Sequence, residues 1–333
     1  MKKLVKIGTR ESELATWQAS HVKKLLKDNG VDSELIFIKS EGDINTVTPL
    51  YELGVQGIFT KTLDAALLDK RIDIAVHSMK DVPTQPAKGI RQAAVLKRAS
   101  YNDILVYKGE WAMVNNELAT IHDTPLTPDS YRNQHSPHPL SFGKAFTIAT
   151  SSIRRKAQWL HRYPNHAIES LRGNVNTRLR KLQENNWNGV IFAAAGLERI
   201  NLRPENSIDL DWMLPAPAQG AITISCRNDD DFSFNASQLL NDESTFVCTK
   251  IERDFLRALL GGCSTPISAL AVIENDSIIF KGNICSVDGR KTFDIEKKIA
   301  VNNGNNIGID AANDLIAMEE VRQILHDIRN EKK

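Results

Sequence analysis

Two stretches of the chain alternate the patterns of β-strands and α-helices, and this alternation constrains the fold more than any other feature of the sequence. In the first stretch, strands are predicted over 3–8, 33–39 and 72–76, with helices over 12–29 and 58–69 between them. In the second stretch, the predicted strands are 145–150, 166–171 and 189–195, and the predicted helices are 153–161, 175–184 and 196–200. Such alternation favours parallel or mixed sheets covered by helices. The sequence therefore predicts two α/β units.

The segments outside these stretches follow different patterns. Residues 109–143 contain four prolines and three histidines, which is typical of a long surface excursion. Residues 214–226 indicate a crossover followed by a strand, and 243–260 an amphipathic helix. Residues 267–328 predict three short strands and a final helix. We therefore expect a smaller unit after the two larger ones.

The charge of the chain is balanced overall but uneven along its length. The 333 residues include 42 Lys and Arg against 41 Asp and Glu, a formal net charge of +1. Between Lys144 and Arg203 there are 11 basic and 3 acidic residues, so this segment carries +8 and the rest −7. The overall balance argues against a protein that binds nucleic acid over its whole surface. The basic segment instead favours a local site for an anion.

The chain start and the cysteines give expectations about compartment and metals. Residues 1–15 lack the apolar run of a signal peptide, and no run of 18 apolar residues occurs, so we expect a cytoplasmic protein without a membrane partner. The four cysteines lack zinc-ribbon spacing, and the histidines of 109–143 lack ligand spacing, so no metal site is expected. Cys226, Cys248 and Cys285 are predicted to be buried. Cys263 differs, because two glycines precede it and Pro266 follows, which favours an accessible loop.

Four polar segments follow predicted strands, where α/β proteins bind their ligands. They are Thr9–Ser12, His77–Pro83, Thr150–Arg155 and Leu171–Arg178. The last two resemble anion sites, because arginines and a helix N-terminus favour negative charge. Carboxylate is favoured over phosphate, because no phosphate-binding glycine motif occurs. Surface salt bridges are the alternative for these arginines, although only three acids lie in the basic segment.

Asp81 is an unusual residue beside a predicted anion site. It could stabilise a developing cation or accept N–H hydrogen bonds, as in a pre-organised catalytic site. Alternatively, it could be a helix-capping or turn residue before Val82 and Pro83. The residues alone leave both roles open.

Six motifs in order resemble one family. They are similar to motifs of the porphobilinogen deaminase (hydroxymethylbilane synthase) family, and the resemblance covers residues 4 to 328. The six motifs are HSMKDVP, TSSIRR, LRGNVNTRL, AAAGLERI, LPAPAQGAITISCR and GGCSTPI. It implies two lobes resembling periplasmic binding proteins plus a small α+β C-terminal domain. The implied domains are 1–100 with 218–238, 101–217 with the insertion 109–143, and 243–333.

The resemblance also implies a reaction and a cofactor. Four porphobilinogen molecules are joined head to tail into hydroxymethylbilane in tetrapyrrole biosynthesis, with release of ammonia. The cofactor is a dipyrromethane bound by a thioether to Cys263, and Asp81 matches the catalytic aspartate. The residues that match cofactor- and substrate-carboxylate positions are Arg10, Ser12, Ser78, Lys80, Ser151, Arg154, Arg155, Arg172, Arg178 and Arg199, with Gln219 as a further candidate. The family also implies a monomer.

The chain departs from the family pattern in two places. In a segment that resembles a mobile lid, Gln56 stands where a lysine is expected and Glu52 where a basic residue is common, whereas Lys61 is retained. The excursion 109–143 is longer than the family pattern. Two other functions are consistent with the basic segment. One is a non-catalytic two-lobed anion-binding protein. The other is a nucleic-acid binder, but such a protein is expected to carry more aromatic residues than Trp159 and Trp187 in its basic segment.

Overall fold

The computed structural model describes residues 4–39, 60–108, 111–114, 117–120, 146–259 and 265–330, with the backbone alone over 111–114 and 117–120. The first part of the chain contains β1 (Val5–Thr9), α1 (Glu13–Asp28), β2 (Ser33–Phe37), α2 (Lys61–Leu68), β3 (Ile74–Ser78) and β4 (Ile90–Val95). The middle part contains β5 (Asp103–Tyr107), β6 (Trp111–Val114), β7 (Glu117–Thr120), β8 (Thr147–Ala149), α3 (Ile153–Arg162), β9 (Ala167–Glu169), α4 (Val175–Glu184), β10 (Gly189–Ala193), α5 (Ala194–Glu198) and β11 (Ser207–Asp209). The last part contains β12 (Ile222–Arg227), α6 (Asp231–Gln238), α7 (Glu243–Ala258), β13 (Ile267–Glu274), β14 (Ser277–Cys285), β15 (Thr292–Ala300), α8 (Ile307–Ile316) and α9 (Glu319–Asn330).

The first sheet combines the start of the chain with one late strand. Its order is β2-β1-β3-β12-β4, in which β1 runs parallel to β2 and β3, while β12 is antiparallel to β3 and β4. Val5, Ile7, Ile74 and Ile224 are fully buried in its core. Every residue of β12 is buried, as expected for a strand covered on both faces.

The second sheet is built from the middle of the chain. Its order is β11-β5-β10-β8-β9, where β8 is parallel to β9 and β10, and β5 is antiparallel to β10 and β11. Strands β6 and β7 form a separate antiparallel hairpin within the predicted excursion. Trp159 of α3 is fully buried against this sheet.

Two connections run between these sheets, 96–102 outward and 214–221 back, and they pack closely. Gly220 has φ +85°, and a Cβ there would lie 2.6 Å from the Ser100 carbonyl oxygen and 2.7 Å from that of Ala99. The position therefore requires glycine both for its backbone conformation and for the close approach.

The third sheet is the antiparallel meander β13-β14-β15, and α7, α8 and α9 pack with it around one core. The predicted single final helix is wrong, because two helices separate at Ala317 and Met318. The Arg322 guanidinium donates to the carbonyls of Ile316 and Ala317, which satisfies the end of α8 and stabilises the break.

The strands and helices predicted for the two alternating stretches are confirmed, with ends that differ by a few residues. Strands β4, β5, β6, β7 and β11 and helix α6 were not predicted. Each is short, and a short apolar run does not distinguish a strand from a buried turn. The predicted architecture, α/β sheets with a small α+β unit, is confirmed by the three sheets.

Candidate active site

The four polar segments all follow the carboxyl ends of strands. Arg10 follows β1, and a 3₁₀ turn over Met79–Asp81 follows β3. In the second sheet, Thr150 follows β8 and Ser170 follows β9. β1 runs parallel to β3, and β8 runs parallel to β9, so the two segments of each sheet lie at the same edge of that sheet.

Asp81 is the last residue of its 3₁₀ turn. The turn is held by buried Met79, whose N–H donates to the Ala221 carbonyl at 3.0 Å. The Asp81 carboxylate is partly exposed and makes no hydrogen bond to the described residues. It does not cap a helix, so the turn position alone does not explain a carboxylate here.

Arg178, on helix α4, is close enough to this carboxylate to interact with it electrostatically. Its Nε donates to the Gly173 carbonyl at 2.7 Å, and its terminal nitrogens make no hydrogen bond within the described part of the chain. Burial lowers the pKa of Arg178 to about 10, with nearby Arg155 and Arg172 acting in the same direction and Asp81 in the opposite one. The guanidinium is therefore anchored at Nε, and its charge acts on the Asp81 carboxylate.

Arg154 and Arg155 are held differently, by one buried acid. Arg154 Nη2 donates to Asp103 Oδ2 at 2.7 Å, and Arg155 donates to Asp103 Oδ1 through both Nε (3.1 Å) and Nη2 (2.7 Å). Their Nη1 atoms donate to the carbonyls of Leu214 and Ile191. Burial would raise the pKa of Asp103, but the two arginines outweigh it and lower the pKa to about 2. The partner acid lies outside the basic segment, so counting local acids could not identify it.

Gln219 links this ion cluster to the Asp81 turn. It is fully buried, and its Nε2 donates to Asp103 Oδ1 at 2.9 Å and to the Tyr101 carbonyl at 2.8 Å. Its Oε1 accepts from Lys80 Nζ at 3.3 Å. Burial lowers the pKa of Lys80 to about 8, although neighbouring Asp81 opposes the shift. Lys80 and Asp81 are therefore tied to the second sheet through one amide.

The three predicted serines have local partners. Ser12 caps α1 by accepting from the Ala15 N–H, and Ser78 accepts from Gln18 Nε2 at 2.8 Å. Ser151 donates to the Leu171 carbonyl and accepts from its N–H, which joins the ends of β8 and β9. These hydroxyls hold the polar segments that follow the strands in place.

The remaining predicted site residues that the structure describes are Arg199, Arg10, Arg172 and Lys61. Arg199 donates to the Gly220 carbonyl at 2.7 Å and lies 5.8 Å above the Trp17 ring, so it spans the two sheets. Arg10 is close enough to contribute, after burial, to the lowered pKa of His77, about 4. Arg172 is buried, and Lys61 is the exposed first residue of α2.

Several predictions lie outside the described residues: Cys263, the lid residues Glu52 and Gln56, and the histidines of the excursion. Cys226, Cys248 and Cys285 are buried, as predicted. In the described ranges, no three His, Cys, Asp or Glu side chains cluster as metal ligands, and no helix is both long and apolar enough to span a membrane.

Comparison with protein families gives a match over nearly the whole chain. Residues 5–234 match the profile described as "Porphobilinogen deaminase, dipyromethane cofactor binding domain". Residues 246–317 match the profile of the porphobilinogen deaminase C-terminal domain. The chain belongs to the porphobilinogen deaminase family.

Curated relatives agree with this assignment. Porphobilinogen deaminase of Acidithiobacillus ferrooxidans is 36% identical over 333 residues, which is 98% of each chain. The Chloroherpeton thalassium protein of the same name is 34% identical over 99% of each chain. Among solved structures, the methionine-binding protein MetQ aligns with 73% of this chain and 92% of its own at 13% identity and a TM-score of 0.42.

The donor set fits the dipyrromethane named in the family description. Such a group presents two pyrrole N–H donors and several carboxylates, and the described part of the site presents the Asp81 carboxylate near the cationic side chains of Arg178 and Lys80. Asp81 suits the pyrrole N–H groups, and Arg178 suits a carboxylate. Porphobilinogen deaminase motifs pointed to these residues. No sequence pattern pointed to Asp103, which lies at the start of a strand that was not predicted.

Proposed function

We propose that this chain is a hydroxymethylbilane synthase that condenses four porphobilinogen molecules head to tail, with one ammonia released at each condensation. The growing chain is primed on a dipyrromethane attached through a thioether to Cys263. When bound, this group supplies an electron-rich pyrrole carbon as the nucleophile. The observation that carries the proposal is the Asp81 carboxylate, which makes no hydrogen bond to the described residues and interacts electrostatically with the Arg178 guanidinium.

Asp81 serves as the catalytic carboxylate. Loss of ammonia from porphobilinogen leaves a cationic methylene-pyrrole, and a carboxylate that accepts the pyrrole N–H stabilises this cation. The same oxygen can hold or move the proton that the condensation releases. Asp81 makes no hydrogen bond to the described residues. Its oxygens can therefore accept the pyrrole N–H without breaking an existing hydrogen bond to those residues.

The basic residues bind the acetate and propionate groups. Four side chains bind carboxylates directly: those of Arg178, Arg172, Arg10 and Lys80. Arg199 lines the same site. Arg154 and Arg155 already bind Asp103, so they contribute their remaining N–H groups and their positive charge. Ser12, Ser78 and Ser151 hold the segments that present these cations.

We propose three domains, 1–100 with 218–238, 101–217, and 243–333; the presence of one larger sheet in each range supports this division. We propose that the segment with Gln56 serves as a lid, together with Lys61 at the start of α2. We further propose that the enzyme acts as a monomer in the cytoplasm.

Intact-protein mass and steady-state turnover test the proposal together. We expect a wild-type adduct of two pyrrole units that is lost in Cys263→Ser and kept in the control Cys285→Ala. Asp81→Asn is expected to keep the adduct but lose on the order of 10²–10³ in kcat, as for other lost electrostatic groups, whereas the exposed control Asp211→Asn keeps full activity. An unmodified wild-type chain that binds porphobilinogen without turnover would instead indicate a non-catalytic binding protein.

A further inference from the structure

We propose that Arg253 is a positioning residue that fixes the Asp81 turn relative to helix α7. The proposal rests on the role given above to Asp81. It concerns a side chain of helix α7, outside the predicted site.

Arg253 binds the backbone on both sides of Asp81. Its Nη1 donates to the carbonyls of Met79 at 3.2 Å and Val82 at 2.9 Å, and its Nη2 donates to the Pro83 carbonyl at 2.6 Å. The planar guanidinium presents its N–H groups in a fixed fork, so three carbonyls held by one fork are fixed relative to each other. Asp81 lies between the first and second of them.

The segment after Asp81 has few other restraints. Val82 N–H donates to the Met79 carbonyl at 3.1 Å, but Pro83 and Pro86 have no N–H to donate. Residues 85–88 are exposed. Arg253 therefore supplies much of the hydrogen bonding that orients this side of the turn.

Helix α7 is a rigid platform for this contact. Phe255, two residues on, is fully buried and packs edge-to-face on Phe280, with ring centroids 5.1 Å apart. Glu252, the preceding residue, accepts from Arg98 and from the N–H groups of Ala218 and Ala271. The helix ends at Ala258, and Cys263 follows ten residues after Arg253. One side chain thus connects the helix that leads to Cys263 with the turn that carries Asp81.

A positioning role predicts an effect on turnover that a purely structural role does not. Displacement of a reacting group by about 1 Å can cost roughly 100-fold in rate. For Arg253→Ala we expect kcat to fall by about 10- to 100-fold while KM stays within about threefold. The adduct mass is expected to be unchanged. Arg253→Lys, which keeps the charge but not the fork, should restore part of kcat.

The matched control is Arg257→Ala, one helical turn further along α7. Arg257 is exposed and pairs with Asp254 at 2.7 Å, without reaching the Asp81 turn. Its kcat is expected to equal that of the wild type. Measurements are made on the loaded enzyme well below each variant's unfolding midpoint, so loss of folded protein does not enter kcat.

A double-mutant cycle with Asp81→Glu shows whether Arg253 acts through Asp81. If it does, Arg253→Ala lowers the residual kcat of Asp81→Glu by less than about threefold, because the carboxylate is already misplaced. Equal losses in both backgrounds, or a wild-type kcat for Arg253→Ala, would overturn the proposal. If Arg253→Ala does not fold, the test uses Arg253→Lys, and a wild-type kcat for that variant would overturn the proposal. An active Asp81→Asn enzyme would refute the proposed function instead.

Discussion

Arg98 and Glu252 form a bidentate ion pair that joins the first sheet to helix α7. Arg98 Nη1 lies 2.5 Å from Glu252 Oε1, and Nη2 lies 3.0 Å from Oε2. The Glu252 side chain is fully buried and that of Arg98 is 10% exposed. The carboxylate also accepts from the N–H groups of Ala218 and Ala271. A single carboxylate therefore connects the segment after β4, the returning connection and strand β13.

Glu252→Gln is expected to destabilise the protein strongly. Removing one partner of a buried pair leaves an uncompensated charge, which costs about 3–5 kcal/mol. Urea unfolding measures the change in the free energy of unfolding. Glu184→Gln is the control, because its pair with Arg180 is exposed and contributes at most about 1 kcal/mol. Equal effects of the two substitutions would contradict the role of Glu252.

Asp103 is expected to give the protein acid-sensitive stability. The pKa of its carboxyl is lowered in the folded chain, to about 2, from an unfolded value of 3.8. The unfolded state therefore binds more protons between these values, so this contribution is present above about pH 4 and is lost as the pH falls toward 2. Urea midpoints from about pH 5 to about pH 2 should fall more steeply in the wild type than in Asp103→Asn. Asp209→Asn, at an exposed pair with Arg203, should keep the wild-type slope.

The sequence predicted what depends on local pattern. Apolar periodicity located α1, α4 and α7, and the polar residues after β1, β3, β8 and β9 indicated which edge of each sheet carries the ligand site. These features are set by neighbours within a few residues. The break between α8 and α9 was missed because the apolar spacing continues across it.

Long-range pairing could not be predicted in the same way. Asp103 meets Arg154 and Arg155 more than 50 residues along the chain, and Arg98 meets Glu252 across 154 residues. Neither pair leaves a periodic signal, because the sheets alone bring the partners together. The buried arginines therefore resembled ligand-binding residues in the sequence, whereas two of them are bound by an acid of the protein itself.

Lys80 is expected to make substrate affinity depend on pH. Its pKa, lowered to about 8 by burial, means that the ammonium loses its proton as the pH rises from about 7 to about 9. If Lys80 binds a substrate carboxylate, KM for porphobilinogen should rise by about threefold to tenfold over this range, the loss of one charge-assisted contact. Lys80→Arg keeps its charge, so its KM should rise less. The same rise in both enzymes would assign the titration to another group.

Gln219→Glu tests the amide that joins Lys80 to Asp103. The substitution places a second carboxylate where the neutral Nε2 donates to Asp103 Oδ1 at 2.9 Å, in a fully buried position. The new carboxylate keeps its contact with Lys80 at 3.3 Å, but Asp103 loses a donor and meets a like charge, so we expect a loss of about 1–3 kcal/mol. Gln323→Glu makes the same change at an exposed contact with Asp327, where like charges one helical turn apart cost about 0.2–0.5 kcal/mol. A small change in the urea midpoint of Gln219→Glu would show that the cluster adapts to the added charge.

Arg178 and Arg180 lie two residues apart on α4. Comparing their substitutions distinguishes direct binding of the ligand from the general effect of surface charge. Arg178 has terminal nitrogens that make no hydrogen bond to the described residues, whereas Arg180 is exposed and pairs with Glu184 at 2.6 Å. Arg178→Ala should raise KM by roughly 10- to 100-fold, since a hydrogen bond to a charged group contributes about 1.5–3 kcal/mol. Arg180→Ala removes the same charge from the same helix and should leave KM unchanged. Steady-state kinetics at two salt concentrations distinguishes direct contact from general attraction, because screening weakens only the longer-range effect. If both substitutions raise KM equally and salt removes the difference from wild type, Arg178 acts through overall charge and does not hold a carboxylate.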